Sequence, residues 1–192
     1  MNRALTFFLV CLGGSGLLGA APIQWTSAAG GNDHWYEVII PPGLSWSTAR
    51  SNALSAGGYL VTITSAAENT FVTNLISASQ VRAWIGANDQ AVEGTFRWID
   101  GPEAGSLLTY SNFAPGEPND FNGEDFLEIF GFNASCCAVG QWNDLPATGA
   151  NNAYVIEFNT LPSSSVPEPS TAIMIAGALV AAGVARRRSI RS

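Results

Sequence analysis

The chain has 192 residues, no lysine and a formal net charge of −7. This length fits one domain of ordinary size with additional terminal segments. When the two ends are set aside, the body holds three arginines and fourteen acidic residues, a net charge of −11. Because such a surface repels nucleic acid and anionic lipid and attracts cations, nucleic-acid binding is excluded as a function class.

Residues 1–21 are predicted to be a secretory signal peptide. Arg3 supplies the positive start, Leu5 to Leu18 is apolar, and Gly19 to Ala21 offers small residues for cleavage. The alternative is a lipoprotein signal in which Cys11 is lipidated, but bulky Val10 stands where that processing needs a small residue. The mature protein is therefore predicted to be exported.

The body reads as a mixture of strands and helices. Strand composition, bounded by turn residues, is found over residues 35–40, 59–64, 84–87, 126–130 and 154–158. Ser47 is the predicted N-cap of a first helix, Thr48 to Ala56, which ends at Gly57-Gly58. Ser65 is the predicted N-cap of a second helix and forms a capping box with Glu68. The buried face of the second helix is predicted to consist of Phe71, Val72, Leu75 and Ile76.

An acidic loop from Pro115 to Asp125 contains two prolines, two glycines, four carboxylates and two amides. Four acids in one short loop are unfavourable unless a cation neutralises them. Oxygen-rich clusters of this kind suit calcium, which takes six to eight oxygen ligands. The alternative is a solvated acidic turn, and the amide–carboxylate pair in Trp142-Asn143-Asp144 further along the chain argues against it.

These motifs resemble the calcium and sugar site of C-type lectin domains. Glu-Pro-Asn at 117–119, Gly-Glu-Asp at 123–125 and Trp-Asn-Asp at 142–144 follow the order of the family, and Trp-Ile-Gly-Ala at 84–87 resembles its core strand. The resemblance extends over about residues 32–159. It implies an α+β, C-type lectin-like fold with two helices, small antiparallel sheets and a long calcium-binding loop region. It also implies a binding protein that is not an enzyme.

The resemblance further implies two calcium sites. The principal calcium, which in the family also accepts two vicinal sugar hydroxyls, would be held by Glu117, Asn119, Glu124, Asn143 and Asp144. The auxiliary calcium would be held by Asp89, Glu93, Asp120 and Asp125. For the first two of these four, a polar turn between strands is the alternative. The family associates Glu-Pro-Asn with mannose- and glucose-type sugars, and a cis peptide bond before Pro118 is implied as well.

The chain departs from the family in its disulfides. The resemblance places the cysteines of one family disulfide at Ala53 and Ile156, and those of the other at Phe126 and about Ala147. All four positions are apolar here, so packing is expected to replace the covalent links. Since losing a native disulfide commonly costs about 2–5 kcal/mol, calcium is expected to matter more to stability.

Cys136 and Cys137 are the cysteines of the body, and they are adjacent. Neighbouring side chains are expected to point apart, and no further cysteine or histidine accompanies them, so they do not form a metal-binding pattern. Oxidised forms are expected in an exported protein. A vicinal disulfide and a bond to another molecule both remain open.

Three function classes compete for the acidic loop. Calcium-dependent binding of a glycan or exopolysaccharide is favoured because all five principal positions are retained. A lectin-like protein that binds other proteins or builds a matrix is the alternative. A glycosidase would use Glu117 and Glu124 as an acid–base pair, but calcium-bound carboxylates must stay ionised. His34, the only histidine, begins a predicted strand, so histidine-based hydrolysis is not expected.

The C-terminal end resembles a PEP-CTERM sorting signal, which exosortases of Gram-negative bacteria read. Residues 160–170 form a linker with a Pro-Glu-Pro motif, residues 171–185 a short transmembrane segment, and residues 186–192 a basic tail. The apolar segment is short against the roughly twenty residues of a relaxed span. The resemblance implies a precursor held transiently in the inner membrane, then release to the cell surface or extracellular matrix. A simple anchor oriented by its arginines is the alternative.

We expect the tail to be removed during export, because its proline motif, short apolar segment and arginines match a processed signal rather than a permanent anchor. Mass spectrometry of the exported protein should show a C-terminus near Pro167. A mature form that still carries Arg186 to Ser192 would support the anchor instead.

Overall fold

The computed structural model describes residues 21–146 and 153–162. The predictions for residues 1–20, for most of the linker, for the apolar segment and for the basic tail lie outside the described residues. The strands are β1 Ile23–Gln24, β2 Trp35–Ile39, β3 Tyr59–Leu60, β4 Arg82–Asn88, β5 Arg97–Trp98, β6 Glu124–Phe130, β7 Trp142–Pro146 and β8 Ala153–Phe158. The helices are α1 Trp46–Ser55 and α2 Ala66–Ser77. In the part of the chain that is described, no helix is long and apolar enough to cross a membrane.

The strands join in one sheet with the order β1-β2-β8-β4-β6-β7. β3 pairs with β8, and β5 pairs with β4. All these pairings are antiparallel except that of β4 with β8, which is parallel, so the predicted small antiparallel sheets are parts of one mixed sheet. The α+β fold class is confirmed. β6 and β7 lie at one end of the order and bring the acidic loop and the Trp-Asn-Asp segment together.

The predicted start of the first helix is wrong by two residues. The N-cap is Ser45, whose hydroxyl accepts a hydrogen bond from Thr48 N at 3.3 Å, and not Ser47. The reason is Trp46, which is buried in the first turn and whose Nε1 donates to Ile85 O at 2.7 Å. Tertiary packing of this indole therefore selects between two serines with similar capping propensity.

The second helix begins at the predicted cap. Ser65 Oγ accepts from Glu68 N at 3.2 Å, whereas the Glu68 carboxylate accepts from Thr64 N at 2.8 Å. The reciprocal half of the capping box is thus displaced by one residue. On the predicted buried face, Val72 and Ile76 are fully buried and Phe71 and Leu75 are partly buried.

Each of the five predicted strands differs from the observed strand at one end or both, and the differences at β3 and β6 have a physical reason. β3 ends at Leu60 because Thr62 N donates to the Glu157 side chain at 3.0 Å instead of to a strand neighbour. β6 begins at Glu124 rather than Phe126, because Glu124 pairs with Pro146 of β7. The last two residues of the predicted acidic loop therefore belong to a strand, which restricts where their carboxylates can lie.

Apolar contacts occupy the place of one family disulfide, that between positions 53 and 156, and include one position of the other. Ala53, Phe126 and Ile156 belong to one buried cluster that includes Trp46 and Trp84. The fourth expected position, about Ala147, lies outside the described residues. Side chains of α1, β6 and β8 thus pack in one apolar cluster, which holds the helix against the sheet.

A second feature of the core is a buried pair of carboxylates. Glu68 and Glu157 are 2% and 1% exposed, and the Tyr36 hydroxyl donates to Glu68 Oε1 at 2.7 Å. Thr62 donates to Glu157 through both its N–H and its hydroxyl at 3.0 Å. His34 Nδ1 lies 2.6 Å from Glu157 Oε1. Buried carboxylates are tolerated here because donors surround them.

We expect the His34–Glu157 pair to make stability depend on pH. The hydrogen bond to Glu157 raises the pKa of His34, with smaller contributions from the charges of Glu157, Glu103 and Glu68. Because the folded pKa is raised, the stabilisation is fully present below the unfolded value of about 6.5 and is lost as the pH rises through the folded value. Denaturant unfolding with a chelator present should therefore show the difference between wild type and His34→Gln narrowing as the pH rises. A difference that stays constant from about pH 5 to pH 9 would contradict a charged pair.

Candidate functional site

Trp142 is the residue on which the geometry of the site is built. Its side chain is fully buried, and its Nε1 donates to Asn69 Oδ1 of α2 at 2.7 Å. Asn69 Nδ2 donates in turn to Gly140 O at 3.0 Å. The rings of Trp98, Tyr110 and Phe113 contact the Trp142 ring edge-on. The two site residues that follow Trp142 are therefore fixed to both the helix and the aromatic core.

Asp144 is the contact between β7 and the acidic loop. Its carboxylate accepts from Asn119 N at 3.2 Å and from Asp120 N at 3.0 Å, and the side chain is almost fully buried. The loop backbone turns around this carboxylate, with Asp120 and Asn122 at positive φ of 50° and 63°. Asparagine and aspartate tolerate this region better than most residues. The sequence therefore suits a loop that folds back onto Asp144.

Glu117 and Asn119 face each other across Pro118. The peptide bond between Glu117 and Pro118 is cis, and Asn119 Nδ2 donates to Glu117 Oε2. Burial, together with the nearby Asp144 charge, raises the pKa of Glu117. The same two causes, in the same order, raise the pKa of Glu124 to about 7. Three carboxylates thus influence one another electrostatically, which is the arrangement a cation would relieve.

Asn143 makes contacts that the sequence did not reveal. Its Nδ2 donates to Glu128 Oε1 at 3.2 Å and to Asp144 O at 2.6 Å. Glu128 is completely buried on β6 and lies 3.4 Å from Arg82 Nη1. The sequence does hold one signal for the role of Glu128: it is the single acid in the otherwise apolar run Phe126 to Phe130. An isolated charge on a buried strand needs a partner.

The auxiliary acids come together in part. Carboxylate oxygens of Asp89, Glu93 and Asp125 lie within 4.8 Å of one another. Among the described residues, these three acids are the group that is close enough to share one metal ion. Asp120, the fourth predicted member, instead accepts a hydrogen bond from Glu124 N at 3.0 Å. The Asp120 side chain therefore binds the backbone of the first residue of β6.

The surroundings of the Asp89 carboxylate indicate whether a cation fits the cluster of Asp89, Glu93 and Asp125. Its Oδ2 accepts from Gly94 N at 2.8 Å, but its buried Oδ1 has no hydrogen-bond partner. Burial raises the pKa of Asp89 to about 6, and the charges of Glu93 and Asp125 add to this shift. An orphaned carboxylate oxygen beside two further acids is a suitable environment for a hard divalent ion. The residues present therefore fit calcium.

Phe121 is an exposed aromatic ring at the tip of the acidic loop. It is 69% exposed, and its N–H donates to Asn119 Oδ1 at 2.8 Å. A large apolar side chain in this position is not explained by core packing. The structure therefore adds it to the surface around the predicted principal site.

Residues 43–154 match the family described as Lectin C-type domain, and residues 165–189 match the PEP-CTERM protein-sorting motif. The chain belongs to the C-type lectin domain family. The C-type lectin match starts within the loop before α1 and ends inside β8, so it includes every predicted site residue. Both family resemblances noted in the sequence, to C-type lectin domains and to the PEP-CTERM sorting signal, are thus confirmed.

Curated relatives of this C-type lectin domain include proteins of very different length. The chain is 38% identical over 104 residues to human C-type mannose receptor 2, over 53% of this chain and 6% of the receptor. It is 33% identical to a perlucin-like protein of Mytilus galloprovincialis, over 60% of this chain and 70% of the relative. It is 28% identical to halomucin of Haloquadratum walsbyi, over 80% of this chain and only 2% of halomucin. The chain therefore corresponds to a small part of the larger relatives.

Solved structures share the fold of this C-type lectin domain. The C-type carbohydrate-recognition domain of cow CD23, solved in the presence of a GlcNAc2Man3 oligosaccharide, has a TM-score of 0.55 and 32% identity over 66% of this chain and 88% of that one. The C-type lectin CEL-I from Cucumaria echinata has a TM-score of 0.55 and 28% identity, with 66% and 91% covered. A calcium-independent type II antifreeze protein has the same fold at 21% identity and a TM-score of 0.56, with 73% and 95% covered.

We expect Asn69 to be a main determinant of stability beneath the site. Asn69→Ala leaves the buried Trp142 N–H without its partner, which typically costs about 1–3 kcal/mol of unfolding free energy. The neighbouring Thr70→Ala is the control, because Thr70 is exposed and bonds only within α2 to Ala66 O, so its change should stay within about 0.5 kcal/mol. Equal losses in denaturant unfolding would contradict the special role of Asn69.

Proposed function

We propose that this chain is an exported, calcium-dependent carbohydrate-binding protein of mannose/glucose-type specificity. One observation carries the proposal: Asp144 accepts the backbone N–H groups of Asn119 and Asp120, so the Glu-Pro-Asn loop is held against the Trp-Asn-Asp strand. The loop residues Glu117 and Asn119 then lie beside Asp144 of β7. Membership of the C-type lectin domain family supports the same reading.

In the proposed site, each residue type has a separate task. The principal ligands are proposed to be Glu117, Asn119, Glu124, Asn143 and Asp144. When bound, calcium would supply the positive charge that attracts two vicinal sugar hydroxyls. Carboxylate oxygens accept hydrogen bonds and amide groups donate them, so alternating acids and amides can bind hydroxyls that both donate and accept. The exposed Phe121 ring would offer an apolar surface beside the sugar.

The auxiliary calcium is proposed to bind Asp89, Glu93 and Asp125. Asp120 is proposed to support this site indirectly, because its carboxylate accepts a hydrogen bond from the backbone of Glu124. The orphaned Asp89 Oδ1 supports this assignment. We assign no catalytic residue. Glu117 and Glu124 have raised pKa values in the metal-free protein, but calcium favours their ionised forms, which removes the proton donor that a glycosidase needs.

The proposed domain boundaries are those of the sequence: a leader of 21 residues, the lectin domain over 32–159, and a linker, apolar segment and basic tail. The PEP-CTERM match supports exosortase as the partner of the tail. The surface or extracellular matrix, reached from a membrane-anchored precursor, is the proposed destination. A glycan or exopolysaccharide is then the proposed ligand.

Calcium is expected to raise the melting temperature. Ligand linkage gives about 2.7 kcal/mol at a hundredfold excess over the dissociation constant. Because the metal-free pKa of Glu124 is about 7, calcium must displace a proton below that pH, so the stabilisation should fade as the pH falls. Asp144→Asn should abolish most of the calcium-dependent shift, measured by thermal unfolding with and without chelator.

Asp33→Asn is the matched control, since Asp33 is an exposed acid at a positive φ that asparagine tolerates. It should retain the full calcium-dependent shift. A melting temperature that chelation leaves unchanged in the wild type would refute the calcium proposal.

Sugar choice is expected to depend on Glu117 and Asn119. Glu117→Gln combined with Asn119→Asp keeps size and total charge but exchanges donor and acceptor on one side of the site. Mismatched hydroxyl partners cost about 1–3 kcal/mol, so affinity for a mannose-type ligand should fall roughly tenfold or more. Isothermal titration at saturating calcium measures this change, and calcium affinity should alter little.

Glu103→Gln combined with Asn133→Asp makes the same two chemical exchanges at residues outside the proposed ligand set, and should keep sugar affinity. Should the Glu117 and Asn119 double variant retain full affinity, sugar is not bound at this calcium. In that case the protein- or matrix-binding function takes its place.

A further inference from the structure

The two adjacent cysteines do not point apart as the sequence predicted. The Cys137 and Cys136 sulfur atoms lie 2.6 Å apart. The loop is folded at this point by its own hydrogen bonds, from Ala134 N to Cys137 O at 2.8 Å and from Val139 N to Asn133 Oδ1 at 3.1 Å. The turn therefore brings the two sulfur atoms face to face.

The two thiols have opposite surroundings. Cys136 is exposed, whereas Cys137 is 2% exposed and packs against Ala114 and Phe130. Burial raises the pKa of the Cys137 thiol to about 12, and the neighbouring Cys136 adds to the shift. Cys137 therefore keeps its proton near neutral pH, and the exposed Cys136 is the thiol that an outside molecule can reach.

Cys136 also lines a cavity of about 480 Å³. The lining residues include Arg82, whose guanidinium lies over the Phe130 ring, together with Phe132 and Gln80. A small organic molecule can thus reach the Cys136 sulfur from a partly apolar recess, while Cys137 stays covered on its other side. This asymmetry separates an attacking thiol from a resolving thiol.

We propose that Cys136 and Cys137 form a thiol–disulfide exchange site that reacts with a small-molecule disulfide in the cavity beside Arg82. The Cys136 thiolate attacks one sulfur of the small disulfide, the sulfur–sulfur bond of that molecule breaks, and one small thiol leaves. The Cys137 sulfur then gives up its proton and attacks the Cys136 sulfur, which releases the second small thiol. In total, two protein thiols are oxidised to one disulfide and one small disulfide is reduced to two thiols.

The geometry also orders the two steps. The first step uses the exposed sulfur, so it depends on access through the cavity. The second step uses a sulfur already in contact, but one whose proton is held by burial. A mixed disulfide at Cys136 should therefore form before the ring closes. This reaction is separate from calcium and sugar binding and can be followed without either.

The test uses the reduced full chain with Cys11→Ser throughout, so that the leader thiol does not contribute. Hydroxyethyl disulfide is added under chelator, and intact mass is followed with time. We expect one hydroxyethylthio adduct to appear and then give a monomer lighter than the reduced chain by two hydrogen atoms. Dithiothreitol should restore the starting mass.

Variants distinguish the two roles. Cys137→Ala, which keeps the buried position apolar, should stop at a stable mixed disulfide, and Cys136→Ser should react at least tenfold more slowly than wild type. Thermal unfolding of each reduced variant confirms that it is folded. Similar rates for Cys136→Ser and wild type would overturn the proposal. Separate adducts on both cysteines, or chains linked as dimers as the main product, would overturn it too.

Discussion

The burial of Trp142 is the constraint on which the site depends. The indole is enclosed by three aromatic rings and hydrogen-bonded to α2 through Asn69. Because Asn143 and Asp144 follow it directly on β7, their positions are set by the core and not by the exposed loop. The loop then folds onto Asp144 through two backbone N–H groups. The acidic, irregular loop thus rests on a fully buried and hydrogen-bonded part of the domain.

The acidic side chains fall into two groups with different physical solutions. Glu68 and Glu157 are buried but are surrounded by hydroxyl, amide and imidazole donors. Asp89 has a buried oxygen that no donor reaches, and it lies beside Glu93 and Asp125. Internal donors stabilise the first group without a cation. The second group has no such donors, and its mutual repulsion is what the proposed cation would relieve.

The sequence was sufficient for the fold class, the family and most elements, because strong motifs and the spacing of apolar residues carry that information. It failed at the helix start, where Ser45 and Ser47 are equally suitable caps and only the packing of Trp46 decides between them. It also failed to find Glu128, whose contacts with Asn143 and Arg82 depend on the pairing of distant strands. Local sequence patterns do not predict contacts between residues on strands that are distant in the sequence.

The candidate site illustrates the same limit in its chemistry. The motif named the acids and amides of the predicted site, but not the hydrogen bonds that they make in the metal-free protein. Asn119 donates to Glu117, and Asn143 donates to Glu128 and to the Asp144 carbonyl. In the proposed site, calcium and sugar would replace hydrogen bonds that already exist, so the affinity would be the difference between two satisfied arrangements. A substitution at Glu128 would then alter sugar binding by changing the metal-free state, even though its carboxylate is completely buried.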